Sequence, residues 1–205
     1  WDRILKPGGQ GRNVTKVGSN TNPRDVASQI AAQARAAVDC PTLQAIGPAA
    51  TNQAIQASAV ARTSRVKSDA AGQSSHPDLI VYPEFIKLDD ASEGQALSAM
   101  QLTLCKRVRR TSVDKEGRSL KVSSSTEAKS LAGAIASCTR EGSRVEVTAI
   151  GAGSVNQAIK SISIARSYLS KSGASGQTAH PDVIVYPEFV KLAAAQNDDA
   201  GQPLS

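Results

Sequence analysis

The stretch His76-Pro-Asp-Leu-Ile-Val-Tyr-Pro-Glu-Phe-Ile-Lys-Leu88 returns almost unchanged as His180-Pro-Asp-Val-Ile-Val-Tyr-Pro-Glu-Phe-Val-Lys-Leu192. Upstream of it, Ala45-Ile-Gly47 returns as Ala149-Ile-Gly151, and about 25 of the 45 positions from 44 to 88 match their counterparts without a gap. Identity at this level over a constant offset is the mark of an internal duplication. The chain therefore contains two copies of one unit.

Both copies show the same order of predicted elements, because the apolar residues switch between strand and helix spacing at equivalent points. In copy 1 we predict strands at Val14–Val17, Thr42–Ile46, Leu79–Tyr82 and Ala99–Val108, one helix after Asn22 and another at Asn52–Arg65. In copy 2 we predict strands at Leu120–Val122, Val145–Ile150 and Val183–Tyr186, one helix after Ser124 and another at Val155–Leu169.

Several local signals predict where these elements begin and end. Asn22 precedes a proline and is expected to cap the first helix of copy 1, and Ser124 with Glu127 reads as a capping box in copy 2. Gly142 is expected to end that helix, and Pro83 to end a strand. The predicted buried stripes of the two first helices are Val26, Ile30, Ala34 and Leu131, Ile135, Cys138.

The element order β-α-β-α-β-β predicts an α/β fold of the two-layer α+β kind, in which helices cross over between parallel strands. We place an N-terminal extension, or the strand of a preceding unit, at 1–11, copy 1 at 12–110, a basic linker at 111–117 and copy 2 at 118–205. Gly201–Ser205 aligns with Gly94–Ser98, so copy 2 has no counterpart of the last strand of copy 1. We therefore expect this sequence to be part of a longer chain.

Composition excludes several classes of protein. Hydrophobic residues make up 40% of the 205 residues, which is enough for a packed core, and no apolar run approaches the roughly 20 residues of a membrane span. Aromatic residues make up 3%, which argues against a base-stacking platform. Cys40, Cys105 and Cys138 form no metal-binding or disulfide pattern. We expect a soluble protein of a reducing, intracellular compartment, without a metal or cofactor.

The segment Ile150-Gly-Ala-Gly-Ser-Val-Asn-Gln-Ala-Ile-Lys-Ser-Ile-Ser-Ile-Ala-Arg166 resembles the signature of the stage V sporulation protein S (SpoVS) family. Leu120–Ser123 and Asp182–Phe189 fit the first and third strands of that family, and copy 1 resembles it more weakly. The resemblance implies an Alba-like module, a fold associated with nucleic-acid binding and dimerisation and with no known enzymatic chemistry. It leads us to expect an intramolecular pseudo-dimer or a homo-oligomer. The tandem arrangement departs from the single-domain bacterial members.

The net charge of +6 is concentrated between Lys106 and Lys121. A basic cluster of this kind neutralises nucleic-acid phosphates, contacts an acidic protein surface, or forms a solvated linker. We take RNA or DNA binding without catalysis as the leading hypothesis. The alternative is a structural subunit that makes protein contacts in a large cytoskeletal, axonemal or organellar assembly. The candidate phosphate-binding residues are Lys106, Arg107, Arg109, Arg110, Lys115, Arg118 and Lys121.

The glycine turn and the helix that follows it supply the remaining candidates. Gly151 and Gly153 either expose backbone N–H groups to a phosphate or permit a tight turn, and copy 1 has alanine at the second position. Asn156 and the glutamine after it either read base edges or make structural hydrogen bonds, and we favour the second interpretation. Arg166 complements the negative helix end, with a phosphate contact as the alternative.

His76-Pro-Asp78 and its counterpart at 180–182 suggest two activities at first sight. The triplet echoes the loop of J-domain co-chaperones, but it leads into a strand here and not between two helices. A His–Asp catalytic pair would need a recurring nucleophile nearby, and none occurs. We interpret the triplet as a shaped loop that enters a strand, and we expect no catalytic residue.

Overall fold

The computed structural model describes residues 13–35, 40–68, 78–89, 96–107, 117–171 and 182–191. Copy 1 consists of β1 (Val14–Val17), α1 (Pro23–Arg35), β2 (Thr42–Ala45), α2 (Gly47–Ser68), β3 (Asp78–Asp89) and β4 (Ala96–Arg107). Copy 2 repeats the order with β5 (Arg118–Val122), α3 (Ala128–Arg140), β6 (Val145–Ala149) and α4 (Ala152–Lys171). The predicted mixed α/β fold with two repeated modules is confirmed. No helix within the described ranges is both long and apolar enough to cross a membrane.

The sheet of copy 1 has the order β1-β2-β4-β3. β1 and β2 are parallel, since α1 carries the chain back between them, and β4 is antiparallel to both of its neighbours. Ile30 of α1, Leu43 of β2 and Leu102 of β4 are completely buried. The predicted stripes of α1 and α3 are buried at every position, which confirms the helical spacing.

Copy 2 has two paired strands in the described part of the chain, β5 and β6. Val122 pairs with Ala149 as Val17 pairs with Ala45, so the parallel half of the sheet is the same in both copies. Residues 182–191 lie where the third strand is predicted, but they make a single bridge, at Val185. The predicted strand Val183–Tyr186 is therefore wrong as a ladder, because among the described residues this segment pairs only at the single bridge between Val185 and Val81 of β3.

Both second helices begin earlier than predicted. Gly47 and Gly151 have φ of 84° and 83°, a conformation that glycine adopts without strain. This backbone turn leads from the strand directly into the helix, so the residues assigned to a loop form the first helical turn. Pro48 occupies that turn, where its missing N–H costs no hydrogen bond.

The turns before α1 and α3 are closed by threonines. The N–H of Gly18 donates to Thr21 Oγ1 at 2.8 Å, and the N–H of Ser123 donates to Thr126 Oγ1 at 2.9 Å. The predicted capping box of copy 2 is wrong, since Glu127 is the N-cap of α3 and makes no side-chain cap bond. The Asn22 cap of α1 is confirmed, because Asn22 Oδ1 accepts from the N–H of Arg24 at 3.0 Å.

Pro83 does not end β3, which continues to Asp89. Val81 directs its N–H and C=O away from β4 and towards Val185. Backbone groups alternate in direction along a strand, so Pro83, two residues later, also faces away from β4. Its missing N–H therefore costs no bond in the β3–β4 ladder.

We expect Gly151→Ala to lower the free energy of unfolding by about 1 kcal/mol, because alanine is strained at positive φ. Gly133 is the matched control, since it lies in the exposed face of α3 and an added Cβ would meet nothing within 4 Å. Gly133→Ala should raise the stability by about 0.5–1 kcal/mol. Urea unfolding followed by circular dichroism measures both changes in stability. Equal effects of the two substitutions would contradict the positive φ of Gly151.

Candidate nucleic-acid interface and the joint between the copies

The two copies meet through an antiparallel pair of backbone hydrogen bonds. The N–H of Val81 donates to the carbonyl of Val185 at 2.9 Å, and the N–H of Val185 donates to the carbonyl of Val81 at 3.0 Å. Helices α2 and α4 also contact each other. We call this contact between β3 and residues 182–191, together with the two helices, the joint.

Arg62, near the end of α2, lies buried at the joint. Its Nε and Nη2 donate to the two carboxylate oxygens of Asp78 at 2.8 and 2.9 Å, the paired geometry that a guanidinium favours. Its Nη1 crosses to copy 2, where it donates to Glu188 Oε1 at 2.6 Å and to the carbonyl of Pro187 at 3.4 Å. The guanidinium also lies over the Tyr186 ring, 5.4 Å from its centre.

Arg166 of α4 makes the same contacts in the opposite direction. It binds Asp182 of its own copy at 2.8 and 3.1 Å, and it crosses to Glu84 at 3.3 Å and to the carbonyl of Pro83 at 2.9 Å. Its guanidinium lies 5.0 Å from the centre of the Tyr82 ring. Each arginine therefore binds the aspartate of its own copy and the Tyr-Pro-Glu segment of the other.

The electrostatics of the joint follow from burial and pairing. Burial alone lowers the pKa of Arg62, but hydrogen bonds and charge attraction from Asp78 and Glu188 outweigh it, so the net shift is upward. At Arg166, burial also lowers the pKa, but hydrogen bonds and charge attraction from Asp182 and Glu84 outweigh it, so the net shift is again upward. Both cations are thus neutralised within the chain. Arg166 binds carboxylates of both copies, and its contact with a phosphate stays a prediction.

Tyr82 is the other titratable group of the joint with a shifted pKa. Burial raises the pKa of its hydroxyl, while the neighbouring Arg107 guanidinium acts in the opposite direction. The net shift is upward. Arg107, one of the candidate phosphate-binding residues, therefore interacts with the joint.

The triplets at 76–78 and 180–182 contribute their aspartates to the joint. Asp78 Oδ1 and Asp182 Oδ1 each accept from the N–H of the next residue at 2.8 Å, in addition to binding the arginine. Asp78 is the first residue of β3, as expected for a loop that enters a strand. His76 and His180 lie outside the described residues. Within the described ranges no cluster of metal-ligating side chains occurs.

The glycine turn of copy 2 has a packing role at its second glycine. A Cβ on Gly153 would lie 2.9 Å from the Cβ of Ser124, so only glycine fits this close approach. Gly151 is exposed, with open space beside it. Whether the turn binds phosphate stays a prediction.

The glutamine of each Asn-Gln pair makes a hydrogen bond within its own copy. The Gln53 amide donates to the carbonyl of Ser19 at 3.3 Å, and the Gln157 amide donates to the carbonyl of Ser124 at 3.4 Å. These bonds tie each second helix to the turn that precedes the first helix, which agrees with the favoured structural interpretation. Asn156 is buried, so its amide is not presented to a base edge.

The candidate basic residues lie in different surroundings. Lys106 Nζ donates to the carbonyl of Ala34 at 3.0 Å, at the end of α1. Arg109, Arg110 and Lys115 lie outside the described residues. Arg118 and Lys121 are exposed on β5.

One basic residue of this region, Arg144, is missing from the sequence prediction. The N–H of Arg118 donates to the carbonyl of Arg144 at 2.8 Å, and both residues are at least partly exposed. Glu141 Oε2 lies 3.8 Å from Arg118 Nη2, but this contact is open to solvent and worth little. The signal was present in the sequence, because Arg144 directly precedes β6, the strand that pairs in parallel with β5.

A groove of about 320 Å³ lies between α1 and α2. Arg24 and Arg35 line it, together with alanines, serines and Val60. Its lining contains no carboxylate, histidine or cysteine, so the groove has no pair for acid–base chemistry.

We expect Arg62→Ala to lower the free energy of unfolding by about 3 kcal/mol or more, since it leaves the Asp78 carboxylate buried without its cation. The side chains of Arg62 and Asp78 are each 7% exposed, whereas those of Arg166 and Asp182 are 15% and 47% exposed. Arg166→Ala should therefore cost less, about 1 kcal/mol. Denaturant unfolding of the two variants measures the difference, and a larger loss for Arg166→Ala would contradict the burial argument.

The family model for stage V sporulation protein S (SpoVS) matches the chain twice, over residues 13–107 and 118–201. Each match covers one copy, and the two together span most of the chain. The resemblance drawn from the sequence is confirmed for both copies.

Proposed function

This chain belongs to the SpoVS family, and we propose that it is a non-catalytic protein that binds RNA or DNA by its phosphate backbone. SpoVS is not a known enzyme family, and its Alba-like fold is compatible with nucleic-acid binding. We place the binding surface at the basic segment from 106 to 121 and at Arg144, which lies beside Arg118 of that segment.

The observation that carries this proposal is where the solvent-exposed positive charge lies. Arg62 and Arg166 are paired with carboxylates within the joint. Arg118 and Arg144 instead lie side by side at one end of the β5–β6 pair, where solvent reaches both. The equivalent positions of copy 1 hold Asn13 and Cys40, so the pair belongs to copy 2 alone.

The surroundings favour backbone contacts over base recognition. Asn156 is buried and the chain has few aromatic residues, so side chains suited to base edges or base stacking are scarce at this surface. Lysine and arginine contacts to phosphates carry no sequence information. We therefore infer binding that is weakly selective for sequence and strongly dependent on salt.

A structural subunit of a larger assembly is the second candidate function. It is favoured by large apolar side chains left in solvent, with Ile150 70%, Phe189 62% and Val190 64% exposed. Such side chains mark surfaces that contact other proteins when they lie together.

We expect Arg118→Ala with Arg144→Ala to weaken binding of a single-stranded or duplex oligonucleotide. Each lost phosphate contact should reduce the slope of log affinity against log salt by about 0.9 for duplex DNA. Arg109→Ala with Arg110→Ala should act in the same direction. Fluorescence anisotropy at several salt concentrations measures both quantities.

The matched control is Arg24→Ala with Arg35→Ala, which removes the same charge from α1. This control should bind the oligonucleotide with an affinity within about twofold of that of the unchanged protein, since neither residue belongs to the proposed surface. Equal weakening by both double variants would show a general charge effect and not a site. No binding of any oligonucleotide at low salt would contradict nucleic-acid binding and favour the structural role.

A further inference from the structure

Cys40 and Cys105 lie at the same end of the β2–β4 ladder. In this antiparallel pair Thr42 is opposite Thr103. Cys40 comes two residues before Thr42, and Cys105 comes two residues after Thr103. The register, continued by two positions, therefore brings the two cysteines opposite each other. Their spacing along the chain does not predict this arrangement, since only the pairing of β2 with β4 brings them together.

The backbone at Cys40 continues the direction of β2. Pro41 has no N–H to donate to the ladder, so β2 begins at Thr42. Pro41 is itself completely buried, which keeps this part of the chain against the sheet. The residue before a proline favours an extended conformation. Cys40 is therefore extended like the strand that follows it and runs alongside β4.

The two thiols share one face of the sheet. Side chains alternate between faces along an extended chain, so Cys40 lies on the side of Thr42 and Cys105 on the side of Thr103. The N–H of Thr42 donates to Asn13, away from β4, so Thr42 and Thr103 form a non-hydrogen-bonded pair, and the cysteines occupy the next such position. The Cα atoms of such pairs are about 4.5 Å apart. A disulfide needs about 4.4–6.8 Å.

The exposure of the two side chains suits oxidation in two steps. Both are thiols, of which Cys105 is partly exposed and Cys40 is 7% exposed. An oxidant in solution reaches Cys105 first, and Cys40 lies where it can attack the product. In copy 2 the counterpart of Cys40 is Arg144, so the pair belongs to copy 1. No group of three metal-ligating side chains includes these cysteines within the described ranges, which favours a disulfide over a metal site.

We propose that Cys40 and Cys105 form a reversible disulfide when hydrogen peroxide oxidises the protein. The peroxide transfers one oxygen to the Cys105 sulfur, which becomes a sulfenic acid, and the rest of the peroxide leaves as water. The Cys40 sulfur then attacks the Cys105 sulfur, the S–S bond forms, and the hydroxyl group leaves with the Cys40 proton as a second water. One hydrogen peroxide thus accepts two electrons from the two thiols.

The disulfide joins β2 to β4 beyond the end of their hydrogen-bonded ladder. It closes the part of the chain that contains α2 and β3, the elements that carry Arg62 and Asp78. A dithiol restores both thiols by exchange. The modification is independent of nucleic-acid binding.

The test treats the full chain with hydrogen peroxide, blocks the remaining thiols, and maps the products by mass spectrometry after trypsin digestion without reduction. Trypsin places Cys40 in the peptide 36–62, Cys105 in 88–106 and Cys138 in 130–140, so each pairing has its own mass. We expect the cross-link between 36–62 and 88–106 within one chain, in about tenfold excess over any pairing with Cys138, because only the first pair has disulfide geometry. Dithiothreitol should remove it.

Cys138→Ser is the matched control and should form the cross-link as the unchanged protein does. Cys40→Ser should stop at the sulfenic acid of Cys105, which dimedone traps. Oxidation in concentrated urea should give all three pairings, since the register is then lost. The mapping and the Cys138→Ser control do not require Cys40→Ser to fold.

Three results in the folded protein would overturn the proposal. The first is cross-linking to Cys138 in comparable amount, and the second is a main product linked between chains. The third is peroxide treatment that leaves Cys40 a thiol, whether Cys105 remains a thiol or is oxidised to the sulfinic acid.

Discussion

A guanidinium held out of water requires carboxylates around it, and this requirement organises the joint between the copies. Arg62 takes one carboxylate from Asp78 of its own copy and one from Glu188 of the other, and Arg166 does the same in reverse. The residues that recur most completely in the duplication, the Asp and Tyr-Pro-Glu of the repeated stretch and the arginine before it, meet at these two sites. The His-Pro-Asp triplet, which suggests a catalytic His–Asp pair at first sight, thus contributes its aspartate to a structural contact.

Neutralisation at the joint also determines which surfaces are left for partners. Because Arg62 and Arg166 are paired internally, the exposed charge of copy 2 is concentrated at other positions, including Arg118 and Arg144 beside β5.

The sequence was sufficient for the parts of the fold that depend on local spacing. The helical stripes at Ile30 and Ile135 are buried as predicted, and the order of elements is the same in both copies. Features that depend on distant partners were missed. Nothing within the neighbourhood of Pro83 shows that β3 turns its outer edge towards Val185, and nothing near Arg62 shows that Glu188 lies beside it. Arg144 is different, since the sequence places it directly before a predicted strand that was expected to pair in parallel with the strand of Arg118.

The reciprocal crossing of the arginines is the central claim, and proton NMR tests it most directly. The structure places the Arg62 guanidinium 5.4 Å from the centre of the Tyr186 ring and the Arg166 guanidinium 5.0 Å from that of Tyr82. We expect nuclear Overhauser cross-peaks from the side chain of Arg62 to the Tyr186 ring and from that of Arg166 to the Tyr82 ring. Cross-peaks from each arginine to the tyrosine of its own copy, with none across the joint, would contradict the reciprocal arrangement.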